Sequence, residues 1–278
     1  MGRVITEADI AQYLDVRDDF DLELFAYREL RQHGWEAHHG GSYLDPYTEK
    51  PRQYDVAARK EFSLKRDLML AVECKSLSTD NPLVVSRVPR AEADASHDLL
   101  KLWRRPGIED AYFTVERYGG RGVALYPVGE MVGKSTTQIR WIDGDKRLGG
   151  SDSETYDKWS QALTAAASLL DAAVLHAPDP APRFTFVMPV LVVSDNALWA
   201  VDYAEDRTRA APIPVEDAVL YVDRKRKLRN RNGEVTYHFL HLNIYTRTGF
   251  VALLNNLASP TGLLLERIFG WALRASQS

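Results

Sequence analysis

The apolar positions of the chain change period along its length. From residue 154 to 175, Trp159, Ala162, Leu163, Ala166, Leu170, Ala173 and Val174 recur at helical spacing and form one apolar face. A second helix is expected over 18–33, opened by Asp18 and Asp19 as caps and closed at Gly34. A third is expected over 93–105, with Leu99, Leu100 and Trp103 as its stripe. Short helices are expected at 248–257 and 261–274. Strand-like runs occupy Trp35–His39, Tyr54–Arg59, Leu68–Lys75, Ala111–Val115, Gly122–Val128, Phe184–Ser194, Ala197–Tyr203, Ala218–Val222 and Thr236–Thr246. The stretch His38–Arg52 is rich in turn formers and reads as a loop. Asn232-Gly233 signals a hairpin.

Helices and strands interleave in this order, so the expected fold class is α/β, a central mixed β-sheet flanked by helices with additional C-terminal strands. The Pro-rich connector Ala177–Pro182 divides the chain into an α/β part, 1–176, and a β-rich part, 183–278, with terminal helices packed on the same core. The same connector also reads as a simple crossing between two elements of one domain.

Composition narrows the classes. An apolar fraction of 45% and a charged fraction of 27% are those of a globular chain. No apolar run approaches the ~20 residues of a membrane helix, and the acidic N-terminal stretch is unlike a secretion signal. The expected location is cytoplasmic. One cysteine, Cys74, excludes an internal disulfide framework and a zinc site of several thiolates. The net charge of −4 means that a nucleic-acid surface would have to be a local basic patch.

The chemistry concentrates in four residues. In the run Leu68–Lys75, alternate residues share a face, which sets Glu73 and Lys75 on one side about 6–7 Å apart, with Cys74 on the other. Burying either charge alone is costly, so pairing or a metal ion must compensate. Asp55 lies in a second apolar strand, joined to the first by a short connection that can place it beside Glu73. Two carboxylates at one point repel, and a hard cation with oxygen ligands relieves that repulsion. Glu23 shares a helix face with Ala26, Tyr27 and Leu30, an anomalous place for an acid.

A helix bearing Glu23, a strand bearing Asp55 and a strand bearing Glu73-Cys74-Lys75 together resemble the PD-(D/E)XK nuclease superfamily, the restriction-endonuclease-like fold. The helix that runs through His33-Gly34-Trp35 into a strand is similar to that family's opening. The resemblance covers roughly residues 18–105; Tyr54 stands where the name-giving pattern has proline. It implies a nuclease-like core within 1–176 and Mg²⁺- or Mn²⁺-assisted phosphodiester hydrolysis of nucleic acid, most of all DNA, in restriction or defence. Asp55, Glu73 and the Cys74 carbonyl would hold the metal, Lys75 would orient or deprotonate the attacking water, and Glu23 would support Lys75 or a second metal. A homodimer is compatible with this. The same residues also read structurally, as a solvated Glu73–Lys75 pair with Asp55 starting a turn. A non-catalytic nucleic-acid- or protein-binding member of the fold is the other functional reading, and a toxin-like or immunity component is a third.

Further basic residues are candidates for phosphate contact: Arg87 and Arg90 after the acid-bearing strand, and Arg224, Lys225, Arg226 and Lys227 in the run Asp223–Arg231. That run reads equally as a charged hairpin edge. Lys101, Arg104 and Arg105 form a smaller set at the end of the expected 93–105 helix. Asp223-Arg224-Lys225 repeats the acid-x-lysine spacing, but without an upstream acid strand. Gly129–Ser135 resembles a phosphate-binding loop with three residues between its glycines where four are needed; it is expected to be a turn followed by a helix from Ser135. His238 and His241 read as structural, and Gln161 on the long helix is left without a role.

Overall fold

The structure is a computed structural model. It describes residues 3–16, 18–63, 65–104, 107, 110–119, 124–142, 147–151, 153–177, 181–230, 233–259 and 263–270. Helices α1 (Glu7–Val16) and α2 (Asp19–Gln32) precede a meander of β1 (Glu36–Leu44), β2 (Pro51–Ser63) and β3 (Arg66–Lys75). Strands β4 (Leu83–Pro89), β5 (Ser96–Trp103), β6 (Tyr112–Gly119), β7 (Met131–Ile142) and β8 (Arg147–Ser151) follow, then the long helix α3 (Ser153–Leu175). The chain continues through β9 (Arg183–Val193), β10 (Leu198–Asp202), β11 (Ile213–Pro214), β12 (Asp217–Asn230) and β13 (Gly233–Thr246) to α4 (Arg247–Ala258) and α5 (Leu263–Phe269).

The fold is α/β, and the described strands form one mixed sheet of 13, with β1-β2-β3-β9-β13-β12-β7-β4-β10-β11 as its main path. Strands β1, β2 and β3 are antiparallel neighbours. The partner of β3 on its other side is β9, parallel from Arg66↔Phe184 to Lys75↔Val193. The outer edge of β9 is shared between β5 near Phe184 and β13 near Val190–Val193. The segments on either side of the 177–182 connector therefore share one sheet, with β9 at its centre. Residues 178–180 of that connector lie outside the described residues.

Strand β3 is buried on both faces, as a central strand between parallel and antiparallel neighbours must be. Leu68, Leu70, Val72 and Cys74 pack with Leu22, Ala26 and Leu30 of α2 and with Phe250 and Leu254 of α4. Met69 and Ala71 point the other way, against Leu163, Ala166 and Leu170 of α3. Asp18 caps α2 by accepting the Asp21 N–H, and Gly34 leaves the helix at φ 75°, a conformation that favours glycine.

Four expectations differ from the structure. Residues 38–44 are strand, not loop, because β1 pairs with β2 from Glu36↔Arg59 to Leu44↔Pro51. Its glycines serve that pairing: Gly40 has φ 67°, and the Tyr54 ring lies across Gly41, where a side chain would collide with it. The 93–105 helix is instead a 3₁₀ turn, Glu92–Asp94, and strand β5. Leu99, Leu100 and Leu102 are buried on both faces between β6 and β9, and a short continuous apolar run does not distinguish helix from buried strand. No helix begins at Ser135; Met131–Ile142 pairs with β4. Residues 124–130 form turns rather than a strand, and 122–123 lie outside the described residues, as do Arg105, Arg231, Asn232, 261–262 and 271–274. Strands β4, β7, β8 and β11 and helix α1 have no counterpart among the expected elements. Among the described residues, no single helix is long and apolar enough to cross a membrane.

Leu163 is fully buried where α3 meets the sheet. Leu163→Ala is expected to lower unfolding free energy by about 2–5 kcal/mol in urea titration. A loss under about 1 kcal/mol would mean that α3 is not packed in this way.

Candidate active site

Strands β2 and β3 stay paired up to Val56↔Val72 and then part, while β2 continues along β1 with Tyr54↔Gly41. Asp55 and Glu73 sit at this fork. Residue alternation turns both toward the α3 side, since Ala71 of β3 packs there and Val72 packs on α2. The fork leaves the Cys74 N–H without a strand partner from β2, and Asp55 supplies one: the amide donates to Asp55 Oδ2 at 2.7 Å.

A residue that the sequence reading did not single out completes the cluster. Lys158 of α3 donates to Asp55 Oδ2 at 3.0 Å, and its ammonium lies 3.6 Å from Glu73 Oε2. The available signal was the one used for Glu23: Lys158 shares a helix face with Ala162 and Ala165, both buried. A charge on that face needs a partner, and the partners come from strands remote in sequence.

Glu73 is fully buried, and neither of its carboxylate oxygens has a hydrogen-bond partner. Burial, and then the neighbouring Asp55, push its pKa up to about 9. The Lys158 ammonium is held charged more firmly than an ordinary lysine; burial opposes this, but Asp55 and Glu73 outweigh it. Burial and Asp55 also raise the Glu23 carboxyl. Glu23 bonds His39 Nε2 at 3.0 Å and lies near enough to Asp55 and Lys158 to feel both charges. The ammonium of Lys75 lies 3.6 Å from Asp19 Oδ2 at the start of α2, and the other oxygen of Asp19 accepts the Ser76 N–H.

The structure thus brings Asp55, Glu73 and Glu23 into one electrostatic neighbourhood, with Lys75 on the same strand end. A divalent metal fits the donor set: two hard carboxylates at one point, one of them buried with unsatisfied oxygens. The set is lean. Among the described residues, no group of three or more His, Cys, Asp or Glu side chains could hold a metal ion.

The basic candidates divide. Arg87 is committed to Asp202 in a two-pronged pair at 2.7 and 3.0 Å. Arg90 is corrected as a phosphate contact: its side chain is 2% exposed, donates to the Pro127 carbonyl and lies over the Tyr126 ring. Arg226 ties β12 to α3 through both oxygens of Asp171. Lys101 pairs with Glu116, and Arg104 donates to the Leu175 carbonyl. Lys225 and Lys227 are exposed, with Lys227 bonded to Glu234. Arg224 lies over Tyr47 and, with Arg52, borders a polar cavity of about 290 Å³ against Ser160, Gln161 and Thr164 of α3. The second acid-x-lysine copy sits at a bulge of β12, where Asp223 binds His238 rather than another acid. Comparison with protein-family models, curated proteins and solved structures finds no match for the chain.

The raised Glu73 pKa has a stability consequence of defined sign. The folded chain holds a proton that the unfolded chain releases above 4.5, so this contribution is fully present below 4.5 and lost as pH rises through about 9. In chelator, Glu73→Gln, which mimics the protonated acid, is expected to match the wild type at pH 5. At pH 8–9 it should be more stable, by on the order of a few kcal/mol. Thermal melts across this range check it; an equal gain at both ends would show that Glu73 is not the titrating group.

Proposed function

We propose that the protein is a metal-dependent nuclease that hydrolyses phosphodiester bonds of nucleic acid, DNA in the first instance, and acts in the cytoplasm in restriction or defence. The observation that carries this reading is the pair of Asp55 and the fully buried Glu73 at a strand fork, with a lysine two residues on and a cation between the two acids. The order of parts supports it too: Glu23 on a helix, Asp55 on the next-but-one strand and Glu73-x-Lys75 on the strand after that, as the family resemblance requires.

Asp55, Glu73 and the Cys74 carbonyl are the metal-holding groups. A divalent ion held there supplies an acidified water and offsets charge on the phosphate. The Cys74 N–H fixes the Asp55 carboxylate, and the apolar packing around Glu73 keeps water from solvating it. Lys75 orients the attacking water, and Asp19 positions its ammonium. Glu23 and His39 hold the neighbouring edge.

One observation favours a second reading, a non-catalytic binding member of the fold: Lys158 already places a cation between the two acids, where a metal would sit. The two readings separate in one experiment. Plasmid, single-stranded DNA and RNA are incubated with Mg²⁺, Mn²⁺ or chelator. The enzyme reading expects metal-dependent cleavage, reduced by about 10²–10⁴-fold in Lys75→Ala and abolished in Asp55→Asn. The partly exposed Lys75–Asp19 pair contributes only about 0–1 kcal/mol to stability, so Lys75→Ala should melt near the wild type. Absence of cleavage on all three substrates would leave the binding reading.

A further inference from the structure

We infer that Lys158 is a displaceable resident cation, which holds Asp55 and Glu73 together in the metal-free protein and turns to the substrate phosphate when a divalent ion takes the two carboxylates. This rests on the metal-dependent reading above and specifies how the site is loaded.

The grip of Lys158 is uneven. It donates a hydrogen bond to Asp55 at 3.0 Å but only approaches Glu73, at 3.6 Å, and both Glu73 oxygens lack a hydrogen-bond partner. A good ligand group is therefore left partly unused. The ammonium and a metal ion would need the same lone pairs, and two cations at one point repel. Binding of one displaces the other.

Lys158 has the means to leave. Its side chain is 21% exposed, so it is not sealed in, and its four-carbon stem lets the ammonium swing while α3 stays fixed. One turn on, Gln161 lines the polar cavity of about 290 Å³, whose wall carries Arg52 and Arg224 together with Asp157 and Asp45, the latter bonded to Arg52. An ammonium released toward that side adds a positive charge to a wall whose two guanidinium groups are balanced by two carboxylates, Asp45 and Asp157. That added charge is what a phosphodiester anion would meet. The exchange makes metal and nucleic acid help each other bind, by the same factor in both directions.

The test uses the full-length chain, Ca²⁺ and Mn²⁺ titrated by calorimetry, and a fluorescent DNA duplex followed by anisotropy with and without Ca²⁺. Removing the competitor in Lys158→Gln should tighten metal binding in the absence of DNA by roughly 5–50-fold, within the usual range of couplings between sites. It should also shrink the gain in duplex affinity that Ca²⁺ brings to the wild type. Lys158→Arg, which grips a carboxylate through two parallel bonds, should weaken metal binding instead. These opposite directions keep the inference exposed even if one variant fails to fold. Metal binding by Lys158→Gln no tighter than the wild type, or by Lys158→Arg no weaker, would overturn it. If Asp55→Asn has meanwhile lost the metal, the nuclease reading stands without the exchange. If neither the wild type nor Lys158→Gln binds metal, both readings fall together.

Discussion

The arrangement around the site depends on one electrostatic constraint: a fully buried carboxyl, Glu73, beside a second acid at the end of a strand buried on both faces. Two acids cannot both ionise there without a counter-charge. The chain meets this in three ways. Glu73 keeps its proton far above the ordinary range, Lys158 reaches in from α3, and the Cys74 amide bonds Asp55. A buried ion cluster of this kind is a poor source of stability, since desolvation offsets most of the attraction. The stability comes from the two apolar layers that β3 and β9 separate, one under α2, α4 and α5 and the other under α3.

Those layers also set the geometry. The parallel alignment of β3 and β9 over ten residue pairs fixes Glu73 opposite Leu191 and prevents the strand from sliding. α3 lies across both strands, so Lys158 inherits its position from Leu163, Ala166 and Leu170 one to three turns later. Arg226 anchors α3 from the far side through Asp171. Much of the basic charge is thus structural. Arg87, Arg90 and Arg226 fasten strands and loops, and Lys227 is bonded to Glu234, which leaves Arg224 and Lys225 of the basic candidates for any external contact.

Local patterns conveyed a good part of this from sequence. The period of α3, the cap of α2 and the apolar runs of β3, β9 and β13 are properties of short segments, and they appear where expected. The Asp55–Glu73 neighbourhood was legible because the two strands form a hairpin, so their relation is nearly local. Lys158 was not, because its partners arrive through a crossover that only the folded sheet defines. The reading of 93–105 as a helix failed for a related reason: a run of leucines reports burial but not backbone, and the pairing of β5 with both β6 and β9 decided the backbone. In β1, a glycine-rich composition typical of turns was overruled by eight paired positions along β2.

Charge near the site bears on how a polyanion could approach it. Asp19, Glu23, Asp55 and Glu73 stand against Lys75 and Lys158, in a chain of net charge −4. Even with Glu73 protonated, acids outnumber lysines at the strand ends, so the metal-free site offers a phosphate backbone no net attraction. Long-range steering is weak for the same reason. Two changes reverse the local sign: a divalent charge placed on the carboxylates, and an ammonium freed from them. If Lys158 is displaceable, the first change brings about the second, and a single binding event turns an acidic strand end into a surface fit for a phosphodiester. Without that coupling, the ionised acids at the strand end would oppose a phosphodiester ligand.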